Sequence, residues 1–229
     1  DLYDPNALTL PAFPPELEAR RGDGRFSDEE LRGARQGYYA MVSEVDHHVG
    51  RILDHLDARG IAENTIVVFT SDHGEWLGEH LDYGKGYPGH DQVTRVPLLV
   101  RWPGGAGAGK CVSRVVEALD VLPTLLEAAA IQRPYELQGT SLLPDLRGEA
   151  DSGPGCAITE MAAGEDHWKT LRMEGLRYVV ESSGEEALFD LESDPQAYLD
   201  VAADPAYAGR LQEARLTLLQ RLLARERPT

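Results

Sequence analysis

Apolar and polar positions change period several times along this chain, and each change marks an element. Residues 1–26 keep no period, and Pro5, Pro11, Pro14 and Pro15 interrupt them. They predict an irregular strap lying on other structure. A helix then begins. Ser27 with Glu30 one turn later is a capping-box signature. Leu31, Ala34, Tyr38, Val42, Val45, Val49, Ile52 and Leu56 follow at spacings of three and four, a single apolar stripe. Gly60 supplies the C-terminal cap. Thr65 to Thr70 is a continuous apolar, β-branched run, the pattern of a strand buried on both faces in a parallel sheet.

A glycine-rich polar stretch, 71–94, separates that strand from a second, Val96 to Trp102, which Pro103, Gly104 and Gly105 stop. Ala118 to Ala130 reads as a short helix with Pro123 in its first turn or at a kink. Around Leu146 to Gly155 glycines accumulate, and a boundary is placed there. Residues 1–147 are expected to form the later part of a larger α/β domain, and residues 148–229 a small subdomain. Short strands are predicted at Ala157–Met161, Trp168–Met173, Leu176–Glu181 and Ala187–Leu191, with hairpin turns at Glu174-Gly175 and Ser183-Gly184. An amphipathic helix from Tyr207 to Ala224 closes the pattern.

Composition narrows the function. Hydrophobic residues make up 42% of the 229 positions, enough for a real core. Acidic side chains outnumber basic ones 39 to 22, for a formal charge of -17, which argues against nucleic acid or an anionic membrane as partner. An anionic small substrate stays compatible, because a metal ion and a few local cations can reverse the field inside a cleft. Cys111 and Cys156 form neither a disulfide framework nor a CxxC site. Free thiols favour the cytoplasm over an oxidising compartment. No apolar run approaches the roughly 20 residues a membrane helix needs.

Candidate chemistry concentrates just beyond the Thr65–Thr70 strand, at the edge where open α/β sheets bind ligands. Asp72 and His73 are adjacent there, an oxygen and a nitrogen donor able to reach one metal centre. Lys85 sits between Gly84 and Gly86, on a loop that can bring an ammonium close to an anion. Taken singly, the Asp-His pair reads first as a helix cap or surface pair and the Gly-Lys-Gly as a mobile loop; the position after a buried strand favours the functional reading. His80 and His90 flank Lys85 and are candidates either for the pocket lining or for packing. Trp76 and Tyr87 are candidates for a substrate rim. His47 and His48 face different directions on the helix and read as structural, and His167 is a weak candidate for reaching the cleft.

Phe69-Thr-Ser-Asp-His-Gly-Glu-Trp-Leu-Gly-Glu-His80, then Lys85, then Thr94-Arg-Val-Pro-Leu-Leu-Val-Arg-Trp-Pro-Gly104 resembles the sulfatase family of the alkaline-phosphatase superfamily. Upstream, Tyr38 to Asp46 and Val49 to Leu53 resemble the family's preceding helix. Downstream, Leu119-Asp-Val-Leu-Pro-Thr-Leu-Leu126, Gly139-Thr-Ser-Leu142 and Leu188-Phe-Asp-Leu-Glu-Ser-Asp-Pro195 resemble later family segments. An Asp-His-Gly alone is weak, but the ordered set is specific and spans nearly the whole chain.

The resemblance implies an alkaline-phosphatase-like sheet-and-helix domain followed by a small antiparallel α+β subdomain, and hydrolysis of a small-molecule sulfate ester. It implies Asp72 and His73 as two ligands of a divalent metal, calcium foremost, with Lys85 on the sulfate. Many relatives carry Asn at the position of His73. Because calcium prefers oxygen ligands and imidazole suits manganese or zinc, those two metals are the alternatives. The family's formylglycine nucleophile, made from a Cys/Ser-x-Pro/Ala-x-Arg motif, has no counterpart in the sequence. Cys111-Val-Ser-Arg114 sets its arginine one position early and reads as a loop cysteine. The chain is therefore expected to carry part of an active site and to be inactive alone. The remainder would come from an N-terminal half of the domain or a subunit replacing it, and without that half the Thr65–Thr70 strand is expected to lack a neighbour. A phosphonate monoester hydrolase or phosphodiesterase on the same fold, and a catalytically silent interaction chain, are the rival readings.

Overall fold

The computed structural model describes residues 2–23, 26–86, 89–105, 107–132, 135–149, 153–163 and 166–225. It is a mixed α/β chain that divides into two compact units. One comprises residues 1–86 with 90–105, the other 87–89 with 106–229.

In the first unit a single helical turn, α1 (Pro15–Glu18), interrupts the strap, and the long helix α2 (Asp28–Ala58) follows. The predicted capping box is in place. The Ser27 N–H donates to Glu30 Oε2 at 2.8 Å, and the Glu30 N–H donates to Ser27 Oγ at 3.3 Å. These bonds satisfy donors that the first helical turn cannot pair itself. Gly60, at φ +66, ends the helix with the Ile61 N–H bonded back to the Leu56 carbonyl. The strap is fixed to α2 through its carbonyls: Gln36 donates to Tyr3 O (2.6 Å), Arg32 to Leu8 O, and Arg35 to Thr9 O (2.8 Å).

Strand β1 (Val67–Thr70) leads to the short helix α3 (Asp91–Thr94) and to β2 (Leu98–Arg101). The two strands pair antiparallel, Val67 opposite Arg101 and Thr70 opposite Leu98. This departs from the expected doubly buried parallel strand. An apolar run records burial, not direction, and among the described residues β1 has one neighbour, β2. Phe69 is 37% exposed and Leu99 59%. The stripe on α2 is similarly open: Val42, Val45 and Ile52 are each more than half exposed, whereas Leu31 and Arg35 are buried.

The second unit opens with α4 (Val121–Ala128), which carries Pro123 in its first turn, and α5 (Leu143–Arg147). The antiparallel meander β3 (Cys156–Ala163), β4 (Asp166–Met173), β5 (Leu176–Glu181) and β6 (Glu186–Asp190) follows, and α6 (Ala208–Arg225) completes the unit. The sequence-predicted strands and turns all lie within it. Alternation along β5 sends Leu176 and Tyr178 into one core with Leu171, Leu188 and Cys156, and Val179 into another with Phe189, Leu191 and Ala197. Leu211, Ala214 and Leu218, on one face of α6, close the first core. Each large side chain buried there contributes about 1.5–3 kcal/mol. Burial also pushes the Cys156 thiol upward, so it stays protonated inside this core, while Cys111 is exposed; neither is in a disulfide.

Residues 106–147 lie in the same compact unit as the C-terminal sheet. Polar bonds account for that. The buried Glu117 carboxylate accepts the Ile158 N–H of β3 (2.8 Å) and the guanidinium groups of Arg221 (2.7 Å) and Arg225 (2.5 Å) on α6. Buried Asp120 accepts the N–H groups of Glu117 (2.9 Å) and Thr140 (2.7 Å), and Thr124 Oγ1 accepts that of Leu142 (2.8 Å). The two separate motifs around Asp120 and Thr140 are thus one hydrogen-bonded structure. Of the glycine-rich run, residues 150–152 lie outside the described residues.

Two outcomes follow from these networks. Glu117→Ala leaves two guanidinium groups without their carboxylate, and is expected to cost about 3–5 kcal/mol in urea unfolding of the second unit. An unchanged midpoint would show the cluster to be idle. Tyr178 donates to Glu186 (2.9 Å), and burial followed by this bond pushes its phenol from 10.0 up to about 12. A raised pKa stabilises the fold below the unfolded value and the gain disappears as pH climbs through the folded one. Melting temperature should therefore drop between about pH 10 and 12, and Tyr178→Phe should flatten that drop.

Candidate active site

The end of β1 delivers Thr70 to a segment without regular structure, so side chains and backbone bonds must shape it. Gly74 N–H donates to Val93 O (2.7 Å) and Glu75 N–H to Gln92 O (3.1 Å), which tie the turn to α3. A Cβ on Gly74 would lie 2.0 Å from Gln92 O, so only glycine permits this approach. The chain then makes a loop from Trp76 to Gly84, closed by the Trp76 N–H on Gly84 O at 3.0 Å.

Asp72 and His73 come together as expected. His73 Nε2 lies 3.6 Å from Asp72 Oδ2. Asp72 is largely exposed, and the His73 N–H bonded to Oδ1 at 2.9 Å, followed by the charge the His73 ring carries when protonated, holds its carboxyl below the usual range. His73 Nδ1 donates to Gly74 O at 2.8 Å. That bond fixes the tautomer in which Nε2 carries the free lone pair. The same Nε2 accepts from Lys85 Nζ at 2.8 Å. Carboxylate, imidazole and ammonium therefore meet at one exposed point beyond β1.

Asp72 and His73 fit part of a divalent-metal site in which the Nε2 lone pair now taken by Lys85 would pass to the metal. They do not complete one: among the described residues no group of three or more His, Cys, Asp or Glu side chains is placed to hold a metal ion. Asp72 and His73 would supply one oxygen and one nitrogen, and further ligands would have to come from elsewhere.

The other candidates fall into packing roles. Trp76 is 1% exposed and packs edge-on to His80 (5.3 Å between centroids) and tilted against His90 (5.4 Å). The two imidazoles stack at 4.1 Å. Trp76 is thus packed among the two imidazoles and buried. Tyr87 lies outside the described residues. His47 and His48 sit on α2, with ring centroids 5.5 Å apart. His167 stands opposite Ala162 in β4, in the other unit.

Sequence reasoning missed Arg35. It interrupts the apolar stripe, yet it is buried, and its guanidinium donates to Thr9 O (2.8 Å), Leu77 O (3.0 Å) and Glu79 Oε1 (3.2 Å). A basic residue four positions after Leu31, on the apolar stripe, was the signal the sequence offered.

The sulfatase family profile matches residues 9–131, a span that contains β1, the Asp72–His73 pair, Lys85 and the motif at Asp120. The chain belongs to the sulfatase family. This sulfatase-family chain is 32% identical over 208 residues to an arylsulfatase of Clostridium perfringens, covering 89% of itself and 43% of that protein. It is 36% identical over 220 residues to arylsulfatase K of Homo sapiens, covering 86% of itself and 40% of that protein. The crystal structure of the phosphonate monoester hydrolase of Agrobacterium radiobacter superposes with a TM-score of 0.85 at 27% identity, covering 97% of this chain and 52% of that one. The chain thus spans about two fifths of the length of these two curated relatives (43% and 40%).

The loop contacts predict a local effect. Arg35→Met is expected to speed hydrogen exchange of the bonded amides of Gly78, Glu79 and Leu81 about tenfold while β5 and β6 keep their rates. Unchanged exchange in the loop would mean that Arg35 does not hold it.

Proposed function

We propose that this chain is the C-terminal part of a metal-dependent hydrolase of sulfate esters. The observation that carries the reading is the convergence of Asp72, His73 and Lys85 at the end of β1, with Lys85 Nζ 2.8 Å from His73 Nε2. Asp72 and His73 are two ligands of a divalent cation, calcium in the leading version, and the cation takes the Nε2 lone pair from Lys85, which turns to the sulfate. The metal, when bound, polarises the sulfate oxygens and activates the nucleophile. Lys85 places positive charge against a sulfate oxygen as negative charge develops there. The glycine turn tied to α3 and the packed rings of Trp76, His80 and His90 support the segment that carries these groups.

The formylglycine nucleophile and the remaining metal ligands are supplied by residues other than these 229, through an N-terminal half of the domain or a subunit that replaces it. The open face of β1 and β2 and the exposed stripe on α2 support this, since both are patterned for burial. Names of relatives support sulfate esters as the substrate class.

A second reading rests on the phosphonate monoester hydrolase superposition and on His73, whose nitrogen suits manganese or zinc. In it the same three side chains act on a phosphonate or phosphate diester.

The test compares the 229-residue chain with a protein in which it is joined to a sulfatase N-terminal half. The chain alone is expected to turn over no aryl sulfate. The joined protein is expected to prefer aryl sulfate over aryl phosphonate, and Lys85→Ala should lower its kcat by about 10²-fold or more. Turnover by the chain alone would refute the shared site, and a preference for phosphonate would install the second reading.

A further inference from the structure

Lys85 lies on a loop segment without helix or strand, yet its ammonium is placed within hydrogen-bond distance of His73. Something must fix it. The neighbouring residue, Gly84, is held at both its polar groups: its carbonyl accepts the Trp76 N–H at 3.0 Å, and its N–H donates to Glu75 Oε1. The same oxygen faces the Leu77 N–H at 3.4 Å, so one carboxylate spans both ends of the loop. Gly84 adopts φ +86, a left-handed conformation that a side chain would resist. Glu75 is itself anchored by its N–H on Gln92 O, next to the Gly74 bond that sets His73.

We propose that Glu75 is a positioning residue: by accepting the Gly84 N–H it sets the place of Lys85 against His73. Its relevance to sulfate rests on the function proposed above, but the positioning itself does not. Glu75 takes no part in metal or substrate contact on this view, and acts only through the backbone of the residue before Lys85. What matters is an acceptor oxygen at the right reach, with charge secondary. Glutamine retains that oxygen, whereas aspartate, one methylene shorter, keeps the charge and loses the reach.

The chain has three lysines, Lys85, Lys110 and Lys169, which makes lysine labelling a clean readout. The full 229-residue chain and its Glu75→Asp and Glu75→Gln variants would be treated briefly with acetic anhydride, and acetylation of each lysine measured by mass spectrometry. Glu75→Asp is expected to raise acetylation of Lys85 about fivefold with Lys110 and Lys169 unchanged, and Glu75→Gln to stay near wild type. Three results overturn the proposal. Unchanged Lys85 acetylation in Glu75→Asp would show that the reach of this carboxylate does not place Lys85; a rise in Glu75→Gln as large as that in Glu75→Asp, or larger, would show that an acceptor oxygen at the right reach is not enough; and a joint rise of all three lysines would show general loosening. The readout needs no turnover, so a joined protein indifferent to Lys85→Ala would sink the hydrolase reading and leave the role of Glu75 standing.

Discussion

A buried guanidinium holds the candidate site to its scaffold. The loop from Trp76 to Gly84 contains three side-chain-bearing residues at positive φ, Leu77, His80 and Leu81. Left-handed backbone costs about 1–2 kcal/mol for each such residue. The short 3-10 turn at Glu79–Leu81 itself holds His80 at non-helical angles, so tertiary bonds must offset that cost. Arg35 meets the loop at the Leu77 carbonyl and the Glu79 carboxylate while its third bond takes Thr9 of the strap. A charge buried this deeply is tolerated only when paired and hydrogen-bonded. The dependence therefore runs both ways: the loop needs Arg35 to keep its shape, and Arg35 needs the loop and strap to be buried at all.

What the sequence disclosed was what is local. The Ser27–Glu30 cap, the Gly60 terminator and the hairpins at Gly175 and Gly184 depend on neighbours within a few residues, and each is found where expected. Strand direction was not legible, because the apolar run at Val67–Thr70 encodes faces and not partners. Glu117 was not legible either, since its guanidinium partners are 104 and 108 residues away. Asp72, His73 and Lys85 were visible as residue types, but their common role came from the resemblance. A spacing of twelve residues across a loop cannot by itself place an ammonium on an imidazole.

The two units meet the problem of burial differently. In the second, β-strand alternation and the face of α6 enclose their apolar side chains. In the first, polar bonds do much of the holding: carbonyls of the strap on Gln36, Arg32 and Arg35, and loop amides on Glu75. Its large apolar positions, Met41, Val42, Val45 and Ile52 on α2 and Leu99 on β2, remain more than half exposed. A site built at such a surface has its own geometry set by contacts within the unit, with no need of a covering structure.

The carboxylate of Glu117 also sets an order of events during synthesis. Its guanidinium partners lie 104 and 108 residues further along the chain. At ribosomal rates of roughly 5–20 residues per second, that interval is on the order of 5–20 s. Throughout it Glu117 is an unneutralised charge that favours staying in water over entering a core. The meander can pair as it emerges, but the seam between β3, α6 and the segment before α4 cannot lock until translation has passed Arg225.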